Sequence, residues 1–520
     1  MRRNLAFALV PAAALMLTAC TADPSVTEGS GSDGEGEESG GTLTIGQEYD
    51  FGTMDPAIIT SVGDTQMVAN VFEGLTRYEY GTTELSPGLA TEWEMSEDGT
   101  EWTFQLREGV QFHEGYGELT ADDVVFTFER AVSEELASPN AELLSAMEAV
   151  TAVDDHTVQF NLSAPDPSWL HKLADQYTGI VSAAAVQERG DNFGLDPVGT
   201  GMYEFDQWIQ GQQTNLVAFD DYWGGEPLLE GVVYRAIPDA VTRHNAFLAG
   251  EIDINQVTDP ELYTQLEGTD GVQFTEAEGL ITRFLGWRSD QPPFDDPRVR
   301  EAVTLAIDRD AMMEGIFAGI STPADGILSS GVEHALEGIL GYEHDPERAR
   351  ELMAEAGYAD GVDVTLTVGN VDRFTRPATV IQQDLAEVGI RMEIEVIESQ
   401  TMLADLTSEE GLQMFLLSRG QDPTPDRVLD SWFSTDNIPA NNWARVSDPE
   451  VDAWLDEATT TIDEDVRAEA FANVQRRIAE EHYYYFIDHE EMIFAYHDRV
   501  EGFVTDPQRS LRLDEVRVSS

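Results

Sequence analysis

The residues that could carry chemistry in this chain are nine histidines, one cysteine and 99 carboxylates. Their spacing matches no catalytic motif. His489 and Glu490 open a segment, His-Glu-Glu-Met-Ile, that starts like the His-Glu-x-x-His helix of zinc proteases but lacks the second histidine. The sequence also lacks Gly-x-Ser-x-Gly and the phosphate-binding loop. We therefore predict no catalytic residues, no metal and no cofactor, with a secreted hydrolase that uses some of the acids as the alternative.

The charge of the chain restricts its partners. With 29 basic and 99 acidic residues the net charge is −70, and Lys172 is the only lysine. Nucleic acid is not expected as a partner because it is also anionic. The acids are spread along the chain, so they indicate a solvated surface rather than an acidic tail. Self-repulsion on this scale predicts adaptation to a salty medium, which screens the charges.

The first 41 residues carry targeting and tethering signals rather than a fold. Arg2 and Arg3 precede an apolar stretch, 5–17, that is too short to span a membrane as a mature helix. Leu-Thr-Ala-Cys at 17–20 resembles a bacterial lipobox, which predicts a signal peptide over 1–19 and a lipid on Cys20. The alternative is a plain signal peptide with an incidental cysteine. The following segment, 20–41, has the composition of a disordered acidic linker.

A hairpin followed by a helix is predicted between residues 89 and 131. Trp102, Phe104 and Leu106 alternate with polar residues at the period of a half-buried strand. Gly99 lies in the turn before that strand, where a positive φ is needed. Thr120 has the position of an N-cap for the helix that follows. This unit predicts local structure but no function.

Strands alternate with helices in the remainder of the chain. Residues 362–368 and 392–396 have strand patterns on either side of a predicted helix at 376–388. This order is typical of βαβ units and predicts mixed α/β sheets.

Aspartates mark the predicted starts of several helices. They are Asp239, Asp296, Asp345 and Asp448. The helix after Asp239 is predicted to turn Val241, Phe247 and Leu248 inward.

Two segments resemble the signature of a known family. LATEWEMSEDGTEWTFQLREGVQFH at 89–113, followed by LTADDVVF at 119–126, is similar to the signature segment of the extracytoplasmic solute-binding proteins of peptide and nickel ABC importers, family 5. YWGGEP at 222–227 matches a turn of the same family. The resemblance covers about residues 42–520.

The resemblance implies an α/β fold of the bilobed periplasmic-binding-protein type, with two mixed α/β lobes joined by crossing strands. Lobe I is expected over 42–283, with an extra subdomain at about 76–196. Lobe II is expected over 284–489, and residues 490–520 are expected to return to lobe I.

The resemblance also indicates how a ligand would be held. In peptide-binding relatives an acid takes the α-amine and an arginine, whose fork suits a carboxylate, takes the other terminus. Arg376 lies within about one position of the arginine that dipeptide-binding relatives use, and the alternative is a surface arginine paired with an acid. In the loop at 418–426, Gln421 stands where an acid is usual, although Asp422 could serve after a shift of one residue. Arg419 adds positive charge nearby.

The predicted ligand contacts combine such polar residues with aromatic candidates for the cleft walls, for which core packing is the alternative. They are Glu48, Tyr49, Trp287, Arg376, Arg419, Asp422 and Trp432.

These observations predict a substrate-binding lipoprotein of an ABC importer. It is expected to be monomeric, anchored to the outer face of the cell membrane through Cys20, and to deliver oligopeptides to the transmembrane subunits of a permease. The same-fold alternatives bind an oligosaccharide, a nickel chelate or an anionic ligand. A sensor or chaperone-like binder without a permease is a further alternative. The sequence leaves open the ligand's identity and length.

Overall fold

The computed structural model describes residues 40–317, 320–508 and 510–519, which contain 19 strands and 14 α-helices. The strands are β1 Gly40–Gln47, β2 Thr76–Tyr78, β3 Leu85–Pro87, β4 Ala90–Met95, β5 Glu101–Leu106, β6 Met147–Asp154, β7 Thr157–Leu162, β8 Tyr203–Ile209, β9 Gln213–Ala218, β10 Leu229–Ala236, β11 Ile254–Gln256, β12 Val272–Trp287, β13 Ser321–Pro323, β14 Val362–Gly369, β15 Ile390–Ile397, β16 Met414–Gly420, β17 Tyr484–His497, β18 Val500–Glu501 and β19 Arg517–Val518. The helices are α1 Val62–Val71, α2 Ala121–Ala131, α3 Trp169–Lys172, α4 Ala183–Arg189, α5 Ala240–Leu248, α6 Pro260–Leu266, α7 Pro297–Ala306, α8 Arg309–Ile316, α9 Pro346–Glu355, α10 Asp372–Glu387, α11 Ser399–Leu406, α12 Pro425–Phe433, α13 Pro449–Thr460 and α14 Glu464–Glu480.

One large sheet runs through the molecule in the order β15-β14-β16-β12-β17-β11-β1-β10-β9-β8. We call the side from β11 to β8 lobe I and the side from β15 to β16 lobe II. Each lobe has a parallel centre, because β1 runs parallel to β10 and β11, and β14 runs parallel to β15 and β16. The long antiparallel strands β12 and β17 cross between the lobes.

The crossing strands are irregular at their middle. Their register shifts between Glu278 and Thr282 and again between Arg283 and Phe284. The predicted lobe boundaries, at 283/284 and 489/490, fall inside these two strands. A register shift is a local bend in a sheet, so this is the part of the crossing that can carry a change of angle between the lobes.

The hairpin predicted near the start of the chain belongs to a second sheet, ordered β4-β5-β7-β6, attached to lobe I. Trp102, Phe104 and Leu106 are buried, as their alternation predicts. The Thr120 side chain and the N3 residue, Asp123, form a capping box at the start of α2. Phe128 of that helix packs edge-on against Phe160 of β7 at a centroid distance of 4.9 Å.

The predicted aspartate caps are also confirmed. Asp239, Asp296, Asp345 and Asp448 each accept a backbone N–H from the first turn of the helix they precede. The inward face predicted for α5 is wrong at two positions: Phe247 is buried, but Val241 and Leu248 are exposed. Phe247 packs in a cluster with Ile252 and Ile493, whereas Val241 and Leu248 face away from it. In the described part of the chain, no helix combines the length and the apolarity needed to cross a membrane.

Candidate ligand-binding cleft

A cavity of about 840 Å³ lies between the lobes. Lobe I contributes the segment after α3, including Asp175 and Gln176. Lobe II contributes the end of β16 and the first turns of α12. Near the C-terminus of the chain, Pro507 and Gln508 complete the wall. A cleft of this size, walled by two lobes, is within the usual range for a small-molecule site.

Arg419, near the end of β16, gives one part of this cavity a positive charge. Its guanidinium lies between two indole rings, 5.0 Å from the centroid of Trp432 and 4.5 Å from that of Trp443. It donates to the backbone oxygen of Asn441 at 2.9 Å and to Ser431 Oγ at 2.7 Å. Burial lowers the pKa of Arg419 to about 10. Both rings restrict the plane of the guanidinium, so its orientation is fixed before any ligand arrives.

Asp175 gives another part of the cavity a negative charge. Its carboxylate accepts the N–H of Tyr177 at 3.1 Å and has no ion-pair partner among the described residues. Burial and then the charge of Asp422 raise the pKa of Asp175 to about 6, whereas Arg427 opposes the shift. The neighbouring Gln176 Oε1 is shielded from solvent and receives no hydrogen bond from the described residues.

Other charges in the walls already have partners. Asp422 lies 3.4 Å from Arg427, and Lys172, the single lysine, lies 2.5 Å from Asp166. Asp426 is paired with Arg467, which lies behind the wall, at 2.6 Å. Because these charged side chains are already paired within the protein, they are less available to pair with a charged ligand.

Gln421 has a structural position. Its Nε2 donates to Thr282 Oγ1 at 2.8 Å and to the Ile327 oxygen at 3.0 Å, and its Oε1 accepts the N–H of Ser329 at 2.8 Å. A carboxylate could not make the two donor contacts. The amide therefore joins β16 to β12 and to the loop after residue 323, and the position usual for an amine-binding acid is occupied by a satisfied amide.

A smaller cavity of about 100 Å³ opens elsewhere along the crossing strands, between residues 257–260 of lobe I and the start of α10. Arg376 lines it, with its side chain 46% exposed and 3.7 Å from Asp372. Beneath it, Arg283 is buried, 3.3 Å from Asp488 and 2.9 Å from Glu490. Burial raises the pKa of Asp488 to about 6, against the opposing charge of Arg283.

The predicted contacts therefore separate into groups. Three line the large cavity, and they are Arg419, Asp422 and Trp432. Arg376 lines the small one. Glu48 and Tyr49 line neither cavity. Burial and the charge of Glu48 raise the pKa of Tyr49, and the charge of Arg373, which lines the small cavity, acts against this rise.

Trp287 lies away from both cavities. It is fully buried in the core of lobe II, where it stacks on Phe294 at 5.7 Å. Trp287 is therefore a core residue, which is the alternative given for the aromatic candidates. A ligand in either cavity has no surface of Trp287 to touch.

Sequence reasoning did not identify Asp175 or Gln176 as cavity residues. The signal around Asp175 is that of an ordinary turn cap, and nothing in the local pattern places it opposite β16. Only the packing of the two lobes brings these segments to one cavity.

One carboxylate and histidine group has a spacing that could suit a metal ion: Glu333, His334 and Glu464. Arg467 NH1 lies 3.1 Å from His334 Nε2 and 3.0 Å from Glu333. The guanidinium already supplies the positive charge at this position, so the group is better described as an ion-pair network.

Comparison with known proteins agrees with this arrangement. Residues 84–440 match the family described as bacterial extracellular solute-binding proteins, family 5 Middle. The dipeptide-binding protein of Escherichia coli K12 is 28% identical over 493 residues, covering 89% of this chain and 92% of its own. Heme-binding protein A of Haemophilus influenzae is 28% identical over 523 residues, covering 95% and 96%.

Among solved structures, the periplasmic binding protein DppA of Helicobacter pylori in complex with the peptide STSA is 27% identical, with a TM-score of 0.79 over 92% of this chain and 99% of that one. These similarities confirm the bilobed α/β fold and the prediction of a binding protein rather than an enzyme. The chain belongs to family 5 of the bacterial extracellular solute-binding proteins.

Proposed function

We propose that this protein captures short peptides in the large cavity and delivers them to the transmembrane subunits of an ABC importer. The observation that carries the proposal is the 840 Å³ cavity itself, because both lobes supply its walls. A ligand held there contacts both lobes at once. It therefore stabilises the closed arrangement by its differential affinity for the two states.

The names of the relatives support peptides but do not define a single ligand. One relative is described as binding dipeptides and one structure contains a four-residue peptide, whereas another relative is named for heme. A second candidate, a non-peptide anionic solute, is favoured by Arg419, which has no carboxylate partner among the described residues, and by the amide at Gln421.

Mass spectrometry of small molecules released by denaturing the natively purified protein tests the proposal. A set of short peptides supports it and gives their length. A single non-peptide solute keeps the binding function but replaces the peptide with that solute. If no ligand is retained, a thermal-shift screen with a library of two- to five-residue peptides follows, and no shift with any peptide would contradict the proposal.

The proposed location includes a lipid anchor on Cys20, which lies outside the described residues. Its support is the lipobox at 17–20. The expected result is that Cys20→Ala moves the protein from the membrane fraction to the medium or periplasm. The control is the unchanged chain, fractionated in parallel.

We also propose that the acidic surface is an adaptation to salt. The net charge of −70 repels itself less when the Debye length falls to ~3 Å at ~1 M salt. The melting temperature should therefore rise between dilute buffer and molar KCl. An unchanged melting temperature would contradict this proposal.

A further inference from the structure

An apolar side chain of lobe II covers a turn of lobe I beside the large cavity. Ile462 stands in the loop between α13 and α14, and these helices pack in lobe II, where Leu455 and Phe471 share a cluster with Phe415 of β16. Gly99 stands in the turn between β4 and β5, in the sheet attached to lobe I. A Cβ atom at Gly99 would lie 2.8 Å from Cγ2 of Ile462. The two lobes are therefore in van der Waals contact at this turn.

The burial of Gly99 depends on this contact. The residues before it in the same turn, Glu97 and Asp98, are exposed, as is usual at the tip of a hairpin, whereas Gly99 is buried. Pro165, which follows β7 of the same sheet, covers one side of the glycine, with its Cβ 3.1 Å from the same Cβ position. Ile462 of the other lobe covers the second side, so separating the lobes would expose the glycine and the isoleucine together.

The contact lies at the rim of the large cavity. Pro165 of lobe I and, from the end of α13, Thr459 and Thr460 of lobe II line the cavity, whereas Gly99 and Ile462 are not among its lining residues. The contact therefore joins the lobes through protein atoms alone, outside the volume that a ligand would occupy. We call Gly99, Pro165 and Ile462 the rim clasp.

A hydrogen bond joins the lobes at a second place. Thr83, in the turn between β2 and β3, donates from Oγ1 to the backbone oxygen of Gly331 at 3.0 Å. The segment before β2 and after β3 packs in lobe I, where Leu75 and Leu89 belong to the core. Gly331 precedes Val332, which belongs to a core cluster of lobe II. Two neighbouring hairpin turns of lobe I thus contact lobe II.

Opposite charges also face each other across the cleft. The pKa of Arg427, in α12 of lobe II, is raised first by Asp422 and then by groups of lobe I, against the effect of burial. Those groups are Asp175, Tyr177 and Glu142. The protein therefore supplies an attraction between its own lobes, in addition to the apolar contact at the rim.

We propose that the rim clasp holds the lobes together in the ligand-free protein, so that the cavity must open before a ligand enters. Ile462 is the main residue of this device, because its side chain loses an apolar contact when the lobes separate. Each methylene group that loses such a contact changes an equilibrium about fourfold. The proposal goes beyond the proposed function, since it applies to any solute that binds in the cavity.

Two measurements on the ligand-free protein test the proposal: the radius of gyration from small-angle X-ray scattering, and hydrogen exchange of the turn at 96–101. Bound small molecules are first removed by unfolding and refolding, and all samples are kept in the same molar KCl buffer. Hydrogen exchange reports opening even when the open arrangement is a minor state. Melting temperatures show whether each variant is folded.

The variants separate the contact from the added charge. Ile462→Asp introduces a carboxylate that must be desolvated when the lobes close. Ile462→Val keeps the Cγ2 methyl group that touches the turn. Val466→Asp, at an exposed valine of α14 in the same lobe, is the matched control for the charge. Thr83→Val removes the second contact without adding charge.

Ile462→Asp should lower the ratio of closed to open molecules roughly tenfold or more. The turn should then exchange faster by the same factor, and the radius of gyration should rise if the open arrangement becomes the major one. Thr83→Val should have a smaller effect in the same direction. Ile462→Val and Val466→Asp should behave like the wild type.

Unchanged exchange of the turn together with an unchanged radius in Ile462→Asp would overturn the proposal. An equal change in Val466→Asp would also overturn it, because the effect would then belong to the added charge and not to the clasp. The samples contain no ligand, so neither result bears on the proposed function, which the released-ligand and peptide-library experiments test separately.

Discussion

The large and small cavities use arginines in opposite ways, although consecutive residues of one strand serve both. Arg419 of β16 lines the large cavity, and Ser418 beside it donates to Glu490, which lines the small one. Neighbouring side chains of a strand point to opposite faces, so β16 divides the two environments. At the large cavity Arg419 is surrounded by tryptophans and neutral acceptors. At the small one, Arg283 is surrounded by carboxylates of the protein.

The difference lies in which charges the protein neutralises itself. Arg283, Asp488 and Glu490 form an internal set of paired charges within the crossing strands and their neighbourhood. Arg419 and Asp175 are partly buried and form no ion pair with a described residue, although Asp422 acts on the pKa of Arg419 and Arg427 on that of Asp175. An arginine in a cleft is therefore a poor indicator of a ligand site until its partners are known, because both kinds occur here within one sheet.

Replacing Arg283 should produce the largest effect. Arg283→Met leaves Asp488 and Glu490 without their cation, and removing one member of a buried ion pair costs about 3–5 kcal/mol. Arg419→Met leaves no buried charge unpaired and should cost about 1–2 kcal/mol. Urea unfolding at pH 7.5 measures both. Equal costs would show that the two arginines have the same role and would remove the contrast between the cavities.

The next largest effect should be the change with pH in the stability of Asp488→Asn relative to the wild type. The pKa of Asp488 is raised to about 6 by burial, with Glu490 adding to the shift and Arg283 and Arg309 opposing it. Its contribution to stability is therefore fully present below about pH 3.8 and is lost as the pH rises through 6.

An asparagine at position 488 does not titrate, so the variant does not lose this contribution to stability as the pH rises. Relative to the wild type, the variant should gain roughly 1–3 kcal/mol in the free energy of unfolding between pH 4 and pH 7.5. Unfolding curves at several pH values test this expectation. A difference between variant and wild type that does not change with pH would mean that the pKa of Asp488 is not raised in the folded state.

Ligand binding at the large cavity should have its own pH dependence. Protonation of Asp175, whose pKa is raised to about 6 by burial and by Asp422, removes a negative charge from the wall of the large cavity. The affinity for a free-amine peptide should fall about tenfold between pH 7.5 and pH 5. Asp422, Arg427 and the N–H of Tyr177 face the same carboxylate, so Asp175→Asn is needed to assign the effect. In that variant the affinity should be flat over this range, and a retained slope would assign the effect to another group.

Replacing Arg376 should have the smallest effect on stability. It is half exposed and 3.7 Å from an exposed aspartate, and pairs of this kind contribute about 0–1 kcal/mol. Arg376→Gln should change the free energy of unfolding by less than about 0.5 kcal/mol. A loss as large as that of Arg283→Met would place Arg376 in the internal charge set and merge it with the residues beneath the small cavity.

Local patterns predicted most of the secondary structure because their causes are local. The Asp-Pro caps at 296, 345 and 448 and the hairpin around Gly99 depend on hydrogen bonds and turns within a few residues. The helix that contains Arg376 begins at Asp372, earlier than predicted, with Pro377 inside its first turns. Pro377 is the sixth residue of this helix and lies beyond the first turn, so its missing N–H removes the hydrogen bond that residue 377 would donate to the carbonyl of Arg373.

The candidate site was only partly predictable. Arg419, Asp422 and Trp432 were predicted from one loop and the helix after it, and all three line the large cavity. Trp287 has the same chemistry as Trp432 but lies in the core of lobe II. Residue type cannot separate the two, because burial depends on which elements pack on each side.

The sequence by itself determined the family, the α/β class, the helix caps and the acidic surface, since these follow from composition, from spacing or from a long ungapped motif. Only the tertiary structure decided which charges remain without partners. Asp175 and Arg419 come from different lobes, and whether a charged group forms an ion pair depends on everything that packs around it. The packing of the lobes therefore brings the charges of Asp175 and Arg419 to one cavity, although each residue is visible in the chain.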